Sequence, residues 1–292
     1  MVNLLEAMQE ARDGGRAIGH FNISDSVTLR AIFESAREIN VPVLIGTSEG
    51  ERDFIGVRQT VALVQSLRAE YDFPIFLNAD HTHSLDKVKE AALAGYDEIL
   101  FDGSKLSLAE NIAQTKQAVE IVKSINPTII VEGEIGYIGS ASAILKETPA
   151  GAALSPESFT TPEEAKQFIA ETKVDVLAPA VGNMHGLLTS MVTGEVQKHL
   201  DIERIGKIKE AIGVFMTLHG GSGTADQDFV AAIKAGMNIV HVNTELRLAW
   251  RRGIEQGLKD NPDEVAPYKI YPPAFVAVKN VVSNRLKLFS QK

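Results

Sequence analysis

The 292-residue chain predicts an α/β fold, a single (β/α)8 barrel across residues 1–292 with an N-terminal helix and a helical C-terminal tail. Three observations carry that expectation. Eight short apolar runs recur along the chain, helix-period segments separate them, and no shift in composition marks a linker. A doubly wound open sheet is the alternative with the same alternation.

Residues 1–10 place acids within a helical apolar pattern, which reads as an amphipathic opening helix and not a secretion signal, stopped at Asp13-Gly14-Gly15. The first strand lies within residues 16–23 and ends in Asn22, with helical spacing over 24–39. Residues 41–47 form the second strand, followed by one helical stretch from about residue 53 to residue 71. Pro74-Ile-Phe-Leu-Asn-Ala-Asp-His-Thr-His-Ser84 is an apolar run ending in Asp80, His81 and His83, and its helix stops near Gly95. The fourth strand covers 98–103 and its helix 108–124, with Asn126-Pro127 as the breaker; the fifth strand covers 128–134. The rhythm then breaks. Residues 137–160 are rich in Gly, Ala, Ser and Pro, over a length typical of a lid or of disorder. Thr161-Pro-Glu-Glu164 restarts it as a capping box with Pro in the first turn. Strands six to eight fall at 174–181, 214–218 and 239–242, with helices at 202–212 and 225–235 and a helical tail from Glu245.

Composition excludes several function classes. Acids outnumber bases 38 to 29, the formal charge is −9, and no Lys/Arg cluster offers a footprint for nucleic acid. No apolar run approaches the length that spans a membrane. The absence of cysteine removes disulfides, thiolate zinc sites and a cysteine nucleophile, and fits a reducing, cytoplasmic location. Any metal must therefore sit on His, Asp or Glu.

A barrel gathers its active site at the carboxyl ends of its strands. Those ends carry Asn22, Ser48, Asp80 and His81, Asp102, Glu132 and Glu134, then Gly182-Asn-Met-His185-Gly186, His219-Gly220-Gly221-Ser222-Gly223, and His241, Asn243 and Thr244. Singly, each has an ordinary explanation. Asp80 and His81 stand where a helix cap belongs, Asp102 suits an Asx turn, Glu134 a satisfied buried acid, and His185 and His83 a solvated loop. His20 and His199 give no functional signal. Together, three His and three acids converging on one mouth have no stabilising use, because burying them unpaired costs several kcal/mol each. Three neutral imidazoles are a usual catalytic zinc set, and the glycines of 220–223 with Asn243-Thr244 let backbone N–H groups approach an anion. Zinc beside a phosphate cradle points to a small phosphorylated carbonyl or hydroxyl compound.

Six motifs, Asn-Ala-Asp-His-Thr-His-Ser, Phe-Asp-Gly-Ser, Val-Glu-Gly-Glu-Ile-Gly, Gly-Asn-Met-His-Gly, Leu-His-Gly-Gly-Ser-Gly and Val-Asn-Thr-Glu-Leu, in this order and covering nearly the whole chain, resemble the class II, metal-dependent ketose-bisphosphate aldolases. The resemblance implies a (β/α)8 barrel, zinc, a homodimer or homotetramer, and reversible cleavage of fructose 1,6-bisphosphate, in preference to its tagatose epimer, to dihydroxyacetone phosphate and glyceraldehyde 3-phosphate. Matched motif by motif, His81, His185 and His219 would bind zinc, and Asp80 would move the C4 hydroxyl proton. Asp102 and Glu134 would serve a second ion position or orient the ligands. Gly186, Gly220, Gly221, Ser222, Asn243 and Thr244 would form the ketone-side phosphate site, where a monovalent cation, K+ or Na+, assists. Asn22 and Ser48 would contact substrate. The predicted strands contain no Lys for the Schiff-base route, which agrees with a metal.

The chain departs from the pattern in three places. Gly139-Ser-Ala-Ser142 lacks the adjacent acids the family often uses for the C3 proton, leaving Glu147 as a distant substitute. His241 replaces an Asn against the ketone substrate. The arginine some members use for the far phosphate is missing near Tyr268-Lys-Ile-Tyr-Pro272, with Lys269, Arg251 or Arg285 as stand-ins. Two further readings follow. His81-Thr-His83 suggests a metal-dependent hydrolase, and the acid-poor lid with His241 suggests a sugar-phosphate binding barrel without turnover.

Overall fold

The computed structural model of the protein describes residues 2–292. Eight parallel strands, β1 (Ile18–Asn22), β2 (Val43–Thr47), β3 (Ile75–Thr82), β4 (Glu98–Phe101), β5 (Ile130–Ile135), β6 (Val176–Pro179), β7 (Phe215–Leu218) and β8 (Ile239–His241), close into a barrel in sequence order. β8 returns to β1 with His241 opposite His20. The open-sheet alternative is thereby excluded.

Alternate residues of each strand face the interior, so the interior is built in layers. The lowest layer is apolar. Ile18, Leu44, Phe76, Ile130, Val176, Phe215 and Ile239 pack on Leu4, Ala7, Met8 and Ala11 of α1 (Leu4–Asp13), which plugs the amino end of the barrel. That helix is started by a capping box in which Asn3 and Glu6 each accept the other's backbone N–H. Two residues further along the strands the interior turns polar, with His20, Asn78, Glu132, Thr217 and His241 all buried. Gly46 leaves room for this layer, because a Cβ there would lie 2.1 Å from His20 Cε1. The outer strand faces, with Phe21, Ile45, Leu77, Ile99, Val131 and Leu177, join one apolar layer beneath the helices.

The helices follow the expected alternation, with two corrections. The single helix expected from about residue 53 to residue 71 is two, α3 (Glu49–Ile55) and α4 (Val57–Tyr71), because Gly56 at φ +98° breaks the register. α3 also starts earlier, on a Ser48–Glu51 capping box. The tail is three helices, α11 (Thr244–Asp260), α12 (Pro267–Ile270) and α13 (Pro272–Ser290), parted where Pro denies the chain a backbone donor. Between them come α2 (Ser26–Ile39), α5 (Leu85–Ala94), α6 (Leu108–Ile125), α7 (Pro162–Thr172), α8 (Thr189–Val192), α9 (Ile202–Ala211) and α10 (Asp226–Ala235). Residues 137–160 are pinned over the mouth: Ile144–Leu145 pairs in parallel with Leu187–Leu188, and His185 N donates to Ile138 O at 2.9 Å. Among the described residues no helix is long and apolar enough to cross a membrane.

Candidate active site

A pocket of about 260 Å³ opens at the carboxyl ends of the strands. Asn22, Ser48, Asp80, His81, Asp102, His185, Gly186, His219, Gly220, Gly221, Ser222, Asn243 and Thr244 all line it; Glu134 lies just behind, its Oε2 3.5 Å from His81 Nδ1.

His81 arrives on a distortion of β3. The register against β4 shifts between Ala79 and Thr82, and His81 itself sits at φ +37°, a region that costs a non-glycine residue about 1–3 kcal/mol. The buried Arg52 guanidinium holds this kink by donating to the carbonyls of Thr47 and Asp80 and to Thr82 Oγ1. Strain of this kind persists only where surrounding bonds fix it, and its result is an imidazole turned into the mouth.

One nitrogen of each of three imidazoles is engaged by a carboxyl or carbonyl oxygen. His81 Nδ1 meets Asp102 Oδ2 at 2.8 Å, His185 Nδ1 meets the Gly139 carbonyl at 2.7 Å, and His219 Nε2 meets Glu132 Oε1 at 3.0 Å. The Asp102 carboxylate and the Gly139 carbonyl only accept, so His81 Nδ1 and His185 Nδ1 carry protons, and His81 Nε2, His185 Nε2 and His219 Nδ1 are the ring nitrogens that face the pocket. His81 Nε2 and His185 Nε2 lie 3.3 Å apart, the three donors fall within 4.8 Å of one another, and His219 Nδ1 is buried with no protein partner. The donor set therefore fits a divalent cation. Burial and the charge of His81 push His185 and His219 down to about 3, keeping both neutral, the form a metal takes. Burial lowers His81 as well, but Asp80, Asp102 and Glu134 outweigh it and raise the imidazole well above its ordinary value.

Asp80 stands beside this cluster. Its Oδ2 accepts from Asn22 Nδ2 at 2.8 Å, while Oδ1 has no partner and lies 3.7 Å from His81 Nε2 and His241 Nδ1. Burial alone would raise it, but His81, His20 and His219 together with the Asn22 amide hold the carboxylate well below the usual range. Asn22 also donates to Glu51 Oε2 at 2.8 Å, and Glu51 Oε1 receives Arg247 Nη2 at 2.6 Å.

On the far side, Asn243 and Thr244 open α11, whose first N–H groups have no intrahelical acceptor; the Asn243 side chain does not cap them, and the Glu245 N–H donates to Ser222 Oγ at 3.3 Å. Gly220 faces them at φ +62°, where a Cβ would meet the Met184 carbonyl at 2.6 Å. Beneath both loops Lys198 buries its ammonium, donating to the carbonyls of Met184 (2.5 Å), Gly186 (2.8 Å), Gly220 (3.1 Å) and Ser222 (2.6 Å). Burial pushes Lys198 down to about 7, with Glu245 opposing.

Several participants escaped the sequence reading. His20 stacks on His241 with ring centroids 3.4 Å apart, and burial lowers it to about 4. Lys198, Glu51 and Arg247 belong to no motif; only the Ser48-x-x-Glu51 spacing signalled one of them. His83, by contrast, is 48% exposed at its side chain and belongs to none of the clustered ligand groups. Lys269, Arg251 and Arg285 pair with Glu264, Glu255 and Glu245 and do not line the pocket.

A closed parallel barrel with a cluster of three histidines at its carboxyl mouth has the architecture of a metal-dependent barrel enzyme. Residues 2–292 match the family described as "Fructose-bisphosphate aldolase class-II", and the chain belongs to that metal-dependent aldolase family. Among solved structures it is similar to the YdjI aldolase of Escherichia coli K12, at 26% identity and a TM-score of 0.81 over 99% of this chain and 97% of that one. A Coccidioides immitis protein provisionally described as a fructose-1,6-bisphosphate aldolase matches at 25% and 0.81, covering 99% and 96%. The fructose-bisphosphate aldolase of Campylobacter jejuni shares the fold at 20% and 0.74, covering 97% and 92%.

Proposed function

We propose that the protein is a zinc-dependent aldolase that cleaves fructose 1,6-bisphosphate reversibly to dihydroxyacetone phosphate and glyceraldehyde 3-phosphate, with His81, His185 and His219 as the zinc ligands. The observation that carries this reading is the pinning of one nitrogen on each of those imidazoles, which turns the other ring nitrogens toward one point next to the free oxygen of Asp80. Zinc, when bound, supplies Lewis-acid stabilisation of the negative charge that carbon–carbon cleavage leaves on the ketone fragment.

The chain's own residues do the rest. Asp80, held ionised, takes the C4 hydroxyl proton through Oδ1 during cleavage and returns it to the aldehyde oxygen in condensation. Asn22 fixes that carboxylate by its other oxygen. Asp102 holds His81 from behind, with Glu134 Oε2 3.5 Å from the same nitrogen, and these three residues form the group that would accept an alternative ion position. Gly186, Gly220, Gly221, Ser222, Asn243 and Thr244 bind the ketone-side phosphate, and Ser48 touches the sugar. Arg247, the one arginine lining the pocket, meets the second phosphate. We further propose a cytoplasmic homodimer or homotetramer, which sedimentation velocity would read directly.

A coupled cleavage assay tests the reading. Chelation abolishes turnover of fructose 1,6-bisphosphate and zinc restores it; full activity without metal refutes it. A higher kcat/KM for the tagatose epimer would reassign the substrate while keeping the mechanism, and tight bisphosphate binding without products would mark a barrel that only binds.

A further inference from the structure

Buried lysines are rare, and one whose ammonium faces only backbone carbonyls is rarer. Lys198 is 5% exposed, and its four acceptors lie on two different loops. Met184 and Gly186 flank His185 after β6, while Gly220 and Ser222 follow His219 after β7. Rings of carbonyl oxygens are what a bare monovalent cation needs in place of its hydration shell. A neutral amine would aim its lone pair at one of those oxygens, whereas an ammonium has three N–H donors and no lone pair to misplace. The ring therefore selects a cation, and Lys198 Nζ already occupies it.

We infer that the Lys198 ammonium is a tethered substitute for the monovalent cation of the phosphate site, so that K+ or Na+ has no place there. This rests on the proposed phosphate cradle. Lys198 draws the two loops together from below, sets the carbonyls on both sides of His185, and places a tethered ammonium under the cradle of Gly220, Ser222, Asn243 and Thr244. A tethered charge needs no binding step, and the site is indifferent to the surrounding alkali-metal concentration. The Lys is supplied by the segment leading into α9, which Lys198 N also anchors by donating to Gly223 O at 2.8 Å.

The test uses the whole protein with inorganic phosphate as the probe, at constant ionic strength, exchanging tetramethylammonium chloride for KCl or NaCl. For the unmodified chain, phosphate affinity by calorimetry and melting temperature stay the same in all three salts; a rise in either with K+ or Na+ overturns the inference. Lys198→Ala removes the ammonium and vacates the ring. In tetramethylammonium it binds phosphate at least about tenfold more weakly, about 1.4 kcal/mol, and K+ or ammonium ion restores both affinity and melting temperature. Unchanged phosphate affinity in Lys198→Ala overturns the inference as well. Should the alanine variant not fold, Lys198→Met and the unmodified chain's salt response decide it. If phosphate does not bind at all, the melting response to K+ decides alone. No sugar substrate enters these measurements, so failure of aldol cleavage is a separate result.

Discussion

Replacing Asp80 by Ala isolates proton transfer from metal binding. In the folded protein one carboxylate oxygen is anchored by Asn22 at 2.8 Å and the other is free, 3.7 Å from His81 Nε2 and 4.0 Å from His219 Nδ1. At an effective dielectric near 20, a unit charge 3.7 Å away is worth on the order of 4 kcal/mol, which is why the carboxylate remains ionised in spite of its burial. A positioned acid–base group contributes roughly 10²–10⁴ in rate, or about 2.7–5.5 kcal/mol of barrier. Asp80→Ala therefore loses kcat by that factor at nearly constant KM, because the proton moves only in the transition state. All three imidazoles and their outer partners remain, so metal content by atomic emission stays at the unmodified level. Exchange of the C3 proton of dihydroxyacetone phosphate with solvent deuterium, followed by NMR, persists, since that step breaks a different bond. A kcat within about threefold of the unmodified protein, or loss of the metal, would refute the assignment.

Glu132→Gln keeps an acceptor for His219 but removes the ionisable carboxyl, and metal affinity measured against a chelating dye falls about 10–100-fold; an unchanged affinity would mean that Glu132 does not tune the ligand. His185→Ala loses stoichiometric metal and His83→Ala keeps it, whereas the reverse pattern would favour the hydrolase reading. Glu98 is pushed well above its ordinary value by burial and by Glu132, so the native state keeps it protonated after the unfolded chain has released its proton. The Glu98 contribution to stability thus falls as pH rises above about 4.5, where the unfolded carboxyl ionises. Metal-free Glu98→Gln melts with the unmodified protein at or below that pH and progressively higher above it, by about 2–4 °C per kcal/mol; an advantage that shrinks with rising pH would contradict the sign.

The site was legible to the extent that its chemistry sits on strand ends. Asp80-His81, His185 and His219 each follow an apolar run, and a parallel barrel brings such ends to one rim whatever the details of packing. The acids were legible as a set but not in their parts, because Glu132 looked no different from Glu134 although only Glu132 takes the His219 ring nitrogen. His20 was silent for a related reason. Its place inside β1 resembles any core position, and its significance comes from His241 across the strand pairing.

By itself the sequence determined the order of strands and helices, the kind of barrel they close, and which residues reach its carboxyl mouth. Those follow from periodicity and chain direction, which are local properties. Tertiary structure alone decided which nitrogen of each imidazole turns inward, since the acceptors that settle it are 21, 46 and 87 positions away. It also decided that the ring of carbonyls from the loops after β6 and β7 holds a lysine, because the backbone oxygens around Lys198 meet only when two loops fold over it.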